Sequence, residues 1–195
     1  MKKGHAIAKN IFDYIGAAVG LILLSPIFIA VGILIKIDSK GPILFKQERL
    51  GKDGKVFTIY KFRTMVENAE EMGDGIFIYE GDNRITKVGA FLRRTSLDEL
   101  PQLINILLGD MSFVGPRPPI TYYPWKYEEY EERKKQRFKM KPGITGLAQI
   151  KGRNDLEWDE KIEYDIEYLR NFTFFLDLKI LYKTFFSVME KKNIY

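Results

Sequence analysis

Apolar and polar positions divide this chain into one long apolar run and a series of shorter patterned segments. Residues 15–37 read IGAAVGLILLSPIFIAVGILIKI, with Lys36 as the one charge. At about 1.5 Å per residue, a straight helix over this run just crosses a hydrocarbon core of roughly 30 Å. The run is too long for a cleavable leader, no small-x-small site follows it, and apolar runs of this length are uncommon in soluble domains. Ser25-Pro26 falls in its middle. Proline removes a backbone donor and its ring clashes with the carbonyl of Ile22, so the helix bends or breaks there. Both flanks are basic: Lys2, Lys3 and Lys9 before, Lys36, Lys40 and Lys46 at the far end. Both satisfy the positive-inside rule if the helix breaks at Ser25-Pro26 and returns to the leaflet it entered, with the seryl hydroxyl helping to satisfy freed backbone groups. A proline-kinked spanning helix is the competing arrangement.

Beyond the run, residues 43–65 (ILFKQERLGKDGKVFTIYKFRTM) place two β-prone stretches around Gly51-Lys52-Asp53-Gly54 and predict a β-hairpin. Residues 67–83, acidic and glycine-rich, predict a mobile loop with a short strand at 76–79. Helices are predicted over 88–94 and 97–108, the second stopped by Gly109-Asp110. Prolines keep 113–119 (FVGPRPP) extended or turned. Residues 122–138 read as a charged, aromatic-rich helix, 141–146 (KPGITG) as a rigid loop and 156–171 as a helix. Residues 172–191 read as an amphipathic helix with Phe174, Phe175, Leu178, Leu181, Tyr182, Phe185 and Val188 on one wide face and Lys179, Lys183, Lys191 and Lys192 near it. A helix lying in a membrane interface gives this pattern, and so does an ordinary core-facing helix. No internal repeat or long linker interrupts the chain. The expected fold class is α+β, mainly helical. Residues 1–40 form a basic tail and a re-entrant, helix-break-helix membrane segment. Residues 41–195 form one globular domain with a small β-hairpin and interfacial amphipathic helices.

Composition narrows the chemistry. The chain of 195 residues has no cysteine and a single histidine, His5, in the basic tail. Disulfides and thiolate metal sites are excluded, and a Ser-His-Asp triad or a histidine-rich metal site would have to use a terminus. Carboxylates, Lys, Arg, Tyr, Ser and Thr remain. The net charge is +5, with Lys36, Lys40, Lys46, Arg49, Lys52, Lys55, Lys61 and Arg63 crowded at and after the end of the apolar run. That density suits an anionic membrane face, a phosphorylated substrate or nucleic acid, although a solvated surface explains most of these lysines singly. Acidic stretches at 67–80 and 128–132 weigh against nucleic acid.

Three sets of residues can carry chemistry. The first is TSLDELPQ at 95–102. Ser96 and Glu99 have capping-box spacing, which accounts for both without any chemistry. Pro101 argues instead for a helix that begins nearer to it. Either way Asp98 lies at or near a helix N-terminus, which favours an ionised carboxylate, as a nucleophile or a ligand of Mg²⁺ requires. The second set is Lys61, Arg93, Arg94, Arg117 in GPRP and Arg153 in GRN, whose cations suit phosphate oxygens. Flanking prolines fix the backbone direction of Arg117, whereas Arg93 or Arg94 alone reads better as surface. The third is Asp165, which faces the stripe Trp158, Ile162, Ile166 and Leu169 of its helix and so needs an Arg, a Lys or a metal as partner.

Together these residues resemble the bacterial sugar transferase family, specifically the small monotopic polyprenyl-phosphate phosphoglycosyl transferases. The resemblance covers nearly the whole chain: the apolar run with Ser25-Pro26, YKFRTM at 60–65, TSLDELPQ at 95–102, GDMSFVGPRP at 109–118, KPGITGLAQ at 141–149, GRN at 152–154 and LDLK at 176–179. It implies transfer of a sugar 1-phosphate from a UDP-sugar to polyprenyl (undecaprenyl) phosphate, with release of UMP. This is the first membrane step of glycan assembly, on the cytoplasmic face of the bacterial plasma membrane. It implies a ping-pong mechanism that needs Mg²⁺, with Asp98 as the nucleophile forming a phosphosugar-enzyme intermediate and contacting the metal. Glu99 then acts as metal ligand or as base. Lys61, Arg93, Arg117 and Arg153 match family positions around the phosphates and nucleotide, and Asp165 matches a family carboxylate. Two positions depart from the family pattern: Lys141, where many relatives have Arg, and Leu147, where a Trp is frequent. Membrane lipid is an expected partner, nucleic acid is not, and a homodimer is left open. The competing class is a non-enzymatic membrane adaptor that binds anionic lipid or an assembly partner, with the Asp-Glu pair as a mere helix cap.

Overall fold

The computed structural model describes residues 3–73, 75–79, 81–152 and 155–189. It is mainly helical, with two small two-stranded sheets. The apolar run lies inside a single long helix, α1 (Lys3–Asp38), which runs through Pro26 without the expected break into two helices. Ser25 Oγ donates to the carbonyl of Ile22 at 2.8 Å. That carbonyl is the one whose usual donor Pro26 cannot supply, so the hydroxyl mends the gap in the ladder. One face of α1 follows a helical stripe. Ala17, Leu21 and Leu24 pack on Ile59, Leu103, Ile106 and Met111, and Phe28, Val31 and Ile35 pack on Phe62 and Leu92. The opposite face leaves Ile15, Val19, Ile22, Leu23, Ile29, Ile33 and Ile37 exposed.

Polar contacts fix both ends of α1. Lys9 donates to Asp177 at 2.7 Å and to the carbonyl of Val114 at 2.8 Å. Asp13 accepts from Ser112 Oγ and from the Phe113 N–H. At the far end Arg63 donates to the carbonyls of Ser39 and Lys40, and Asp38 accepts from the Val88 N–H at 2.9 Å. Carbonyls at a helix C-terminus have no partners within the helix, and a guanidinium supplies them.

The predicted hairpin is present. Strand β1 (Leu44–Leu50) pairs antiparallel with β2 (Val56–Phe62), with Leu44 opposite Phe62 and Leu50 opposite Val56. Helix α2 (Lys87–Thr95) follows, capped by the Thr86 hydroxyl on the Gly89 N–H. Gly89 is required by contact: a Cβ there would overlap the backbone carbonyl of Thr64. Helix α3 is Gln102–Leu108 and strand β3 is Ser112–Val114. The loop expected over 141–146 contains strand β4 (Gly143–Thr145), parallel to β3. Gly115 and Gly143 let these two segments approach more closely than any Cβ would permit. The remaining helices are α4 (Glu132–Lys135), α5 (Leu147–Lys151), α6 (Trp158–Arg170) and α7 (Phe174–Met189).

Two expectations are corrected. Residues 122–138 are not one helix but a 3₁₀ turn at Tyr127–Glu129, the single turn α4 and a 3₁₀ turn at Gln136–Lys139. Trp125, Tyr127, Tyr130 and Phe138 all pack in the cluster around Leu50, Ile162 and Ile166, and their spacing does not put them on one helical face. No strand forms over the described residues 76–79. The loop carbonyls of Ala69, Met72, Gly75 and Phe77 accept instead from Arg84, whose buried guanidinium also pairs with Asp82 at 2.6 Å. Helix α7 has a core-facing side and an exposed one. Ile180 is buried in the core, whereas Phe175, Tyr182, Phe185 and Phe186 form an exposed apolar face.

Candidate active site

The end of the hairpin gathers the predicted residues. Along β2 and just after it, side chains reach three different places. Lys61 donates to Glu99 at 2.7 Å, Arg63 caps α1, and Thr64 Oγ1 accepts from Arg93 Nε at 2.9 Å. Asn105 of α3 holds the strand from the side, accepting from the Tyr60 N–H and donating to the carbonyl of Thr58. Asp98 and Glu99 lie in a 3₁₀ turn, Leu97–Glu99, between α2 and α3.

The capping box expected from Ser96 does not form. Ser96 has φ 55°, closes α2 in the left-handed region and makes no side-chain cap. Glu99 turns instead to charged partners, Lys61 at 2.7 Å and Arg117 at 3.4 Å. The helix proper begins only at Gln102, after Pro101, as the proline argues. Asp98 therefore precedes that helix, and the groups that favour its ionised form are side-chain cations.

The two neighbouring carboxylates differ electrostatically. Burial pushes the Asp98 carboxyl above its ordinary value, against the pull of Lys61, Arg93 and Arg117, while Glu99 adds to the rise. For Glu99 burial acts in the same direction, but Lys61 and Arg117 outweigh it and hold the carboxyl at about 2. Glu99 is thus committed as an anion. Among the described residues no hydrogen bond or ion pair reaches Asp98. Its lone pairs stay available, half-buried, amid three cations that are near without touching it.

Lys61, Arg93, Arg117, Asp98 and Glu99 are therefore together. Arg153 lies outside the described residues. Asp165 is buried on α6, 2.8 Å from Arg137, and burial pushes its carboxyl up to about 6 in spite of that partner. Sequence reasoning misses Arg137 altogether and reads Arg49 only as one of the basic crowd. Arg49 is half-buried, donates to the carbonyl of Pro118 at 3.1 Å and pairs with Gln47. Burial first, and then the charge of Arg117, pull its pKa down to about 10. The two departures from the family pattern also find places. Lys141 lies over the Tyr14 ring at 5.3 Å, and Leu147 is buried in the core.

For a divalent cation, Asp98 and Glu99 offer two carboxylates, the donors that Mg²⁺ takes. Among the described residues there is no group of three or more potential ligands, so such an ion would need substrate phosphate oxygens to complete its shell. That is how Mg²⁺ is commonly held beside nucleotides, and the residues fit it.

Comparison with known proteins shows the family. The chain is 45% identical over 198 residues to UDP-glucose:undecaprenyl-phosphate glucose-1-phosphate transferase of Klebsiella pneumoniae, an alignment covering 98% of this chain and 42% of that protein. It is 41% identical over 194 residues to galactosyl transferase CpsE of Streptococcus agalactiae, covering 94% of this chain and 42% of that protein. With the uncharacterized sugar transferase EpsL of Bacillus subtilis it shares 43% identity over 188 residues, covering 96% of this chain and 90% of that one. The chain thus spans less than half the length of the first two and most of the third. The family model described as bacterial sugar transferase matches residues 4–191, and the chain belongs to that family.

Proposed function

We propose that this protein transfers a sugar 1-phosphate from a UDP-sugar to polyprenyl phosphate, through a covalent aspartyl intermediate on Asp98, as the first membrane step of glycan assembly. The observation that carries the reading is the Asp98 carboxylate, without a hydrogen bond or ion pair among the described residues, beside a Glu99 whose Oε1 is held by Lys61 and Arg117, with Arg93 also near. A relative named as a glucose-1-phosphate transferase to undecaprenyl phosphate supports the substrate class.

In the first half-reaction an Asp98 oxygen attacks the sugar-bearing phosphorus of the donor. The bond from that phosphorus to the bridging oxygen breaks, and its electron pair leaves on UMP. In the second, an oxygen of the lipid phosphate attacks the same phosphorus. The acyl oxygen–phosphorus bond breaks, Asp98 is restored as a carboxylate, and a polyprenyl diphosphate sugar departs. An acyl phosphate is labile enough to serve as the intermediate. Lys61 and Arg117 hold Glu99 ionised, and Arg93 and Arg117 offset charge on the diphosphate. Arg153 is assigned to the same phosphates and nucleotide by family resemblance. Mg²⁺ held by Asp98 and Glu99 would neutralise phosphate charge when bound.

The lipid acceptor explains the apolar helix. Helix α1 lies along the body on both sides of Ser25-Pro26. A straight crossing would draw α2, α3 and the charged turn between them into hydrocarbon, at high cost. We take α1 as re-entrant from the cytoplasmic face, with the exposed aromatic face of α7 in the interface. Cysteines placed by Lys3→Cys or Lys40→Cys should both resist an impermeant thiol reagent applied outside sealed cells. Reaction of one and not the other would show a spanning helix.

The test of the chemistry is Asp98→Asn. UMP release and the covalent phosphosugar adduct should both disappear while the protein stays folded and membrane-bound. Full activity in that variant would overturn this mechanism, and a parent chain that releases no UMP would leave the adaptor reading in its place.

A further inference from the structure

Arg117 stands in a Pro116-Arg117-Pro118-Pro119 loop whose carbonyls are held from outside. The Leu50 N–H donates to Pro119 at 3.0 Å, Arg49 Nη1 to Pro118 at 3.1 Å, and Arg137 Nη2 to Arg117 itself at 2.9 Å. The flanking prolines fix φ at positions 116 and 118 and keep Arg117 extended, but within that region its ψ still has a range of about 40°. A hydrogen bond to the Arg117 carbonyl pins that angle, and with it the direction in which the side chain leaves the loop.

The donor of that bond is unusual. Arg137 and Asp165 are 1% and 2% exposed and lie 2.8 Å apart. The guanidinium also lies over the rings of Phe138 and Trp158, at 5.5 and 5.7 Å. Its Nε and Nη1 have no hydrogen-bond partner among the described residues. A buried ion pair stabilises a fold no better than well-packed apolar side chains of like volume, and unmade donors add to its cost. Stability alone therefore does not account for the pair. What an apolar pair could not do is present a fixed cationic donor to the backbone of Arg117.

We propose that Asp165 and Arg137 are positioning residues for the transfer reaction: Asp165 fixes Arg137, Arg137 holds the Arg117 carbonyl, and the Arg117 guanidinium is thereby aimed at Glu99 and at the diphosphate of a nucleoside diphosphate sugar. The inference rests on the reading above that Arg117 acts on substrate. It gives Asp165 an influence on substrate that runs through Arg137 and needs no direct contact.

A double-mutant cycle on the full chain in membranes tests it. Arg137→Lys keeps a positive charge beside Asp165 but loses the planar fork that meets two oxygens at once. It should lower kcat/KM for UMP release by about 10- to 100-fold, the scale of a misplaced group, with membrane association and thermal unfolding near those of the parent. In an Arg117→Ala background the same change should cost less than about 2-fold, because the side chain it aims is gone. Should Arg137→Lys fail to fold, the neutral pair Asp165→Asn with Arg137→Gln takes its place in the cycle, with the same expectation. Equal losses in both backgrounds would overturn the proposal and leave the role of Arg117 intact. Full activity of Arg117→Ala alone would remove the reading beneath it, and the proposal with it.

Discussion

Asp98 and Asp165 each lie near cationic side chains in partly or wholly buried surroundings, yet those surroundings use them differently. At Asp165 the cation is in contact, solvent is shut out, and the same guanidinium nitrogen reaches one backbone oxygen. At Asp98 three cations act without touching it, and the one with the strongest pull, Lys61, is spent on the neighbouring Glu99. Burial raises both carboxyls, so desolvation does not distinguish them. What does is whether a cation is in contact. A closed pair holds geometry, whereas an open carboxylate ringed by positive charge is arranged for an anion and a cation that arrive together.

The largest break in this contrast should come from Asp98→Asn. If Asp98 is the nucleophile proposed above, its removal should cost about 10³-fold or more in UMP release, measured alongside the labelled adduct. Next, Lys61→Met should cost about 10²-fold, the usual effect of deleting one preorganised charge, and should also move a pH profile. Lys61 lowers the Asp98 pKa, so its loss raises that pKa further. Since attack needs the carboxylate, the acid limb of kcat/KM should shift to higher pH in the variant. An unmoved limb would mean that another group sets it. The Arg137→Lys cycle comes third, where the effect depends on Arg117. The smallest belongs to a third kind of pair, Arg133 with Glu163, both more than half exposed at 2.5 Å. Arg133→Ala should change stability by less than about 0.5 kcal/mol in denaturant titration, marking the level at which an ion pair holds neither geometry nor chemistry.

The periodic parts of the chain are legible in its residue spacing. The apolar run, the hairpin around Gly51-Lys52-Asp53-Gly54 and helices α2, α6 and α7 follow from that spacing alone, because each buries one face of a regular element. The same reasoning fails over 122–138, where Trp125, Tyr127, Tyr130 and Phe138 converge through irregular turns and tertiary packing outweighs local preference. Family motifs name Lys61, Arg93, Asp98, Glu99 and Arg117, which the fold places near one another. They say nothing of Arg137 or Arg49, since a contact such as Arg49 to Pro118 joins residues 69 apart, and spacing along a chain carries no trace of it. Ser96 shows the opposite failure. A capping-box spacing is present, but Lys61 offers Glu99 a charged partner and the box does not form.

The hairpin register has a reach that its small size hides. Strand β2 delivers Lys61 to Glu99 and Phe62 to the packing beneath α1, and its continuation delivers Arg63 and Thr64. These roles depend on counting residues from a turn at the far end of the hairpin. A residue inserted among Gly51, Lys52, Asp53 and Gly54 that slipped the strand pairing by one would turn every later side chain to the opposite face. It would unseat the helix C-terminus and disarm Glu99 in the same step, although no atom of the insertion lay near either. The turn works as a length gauge for the reaction centre, and loop-swapping between relatives should respect its residue count before its composition.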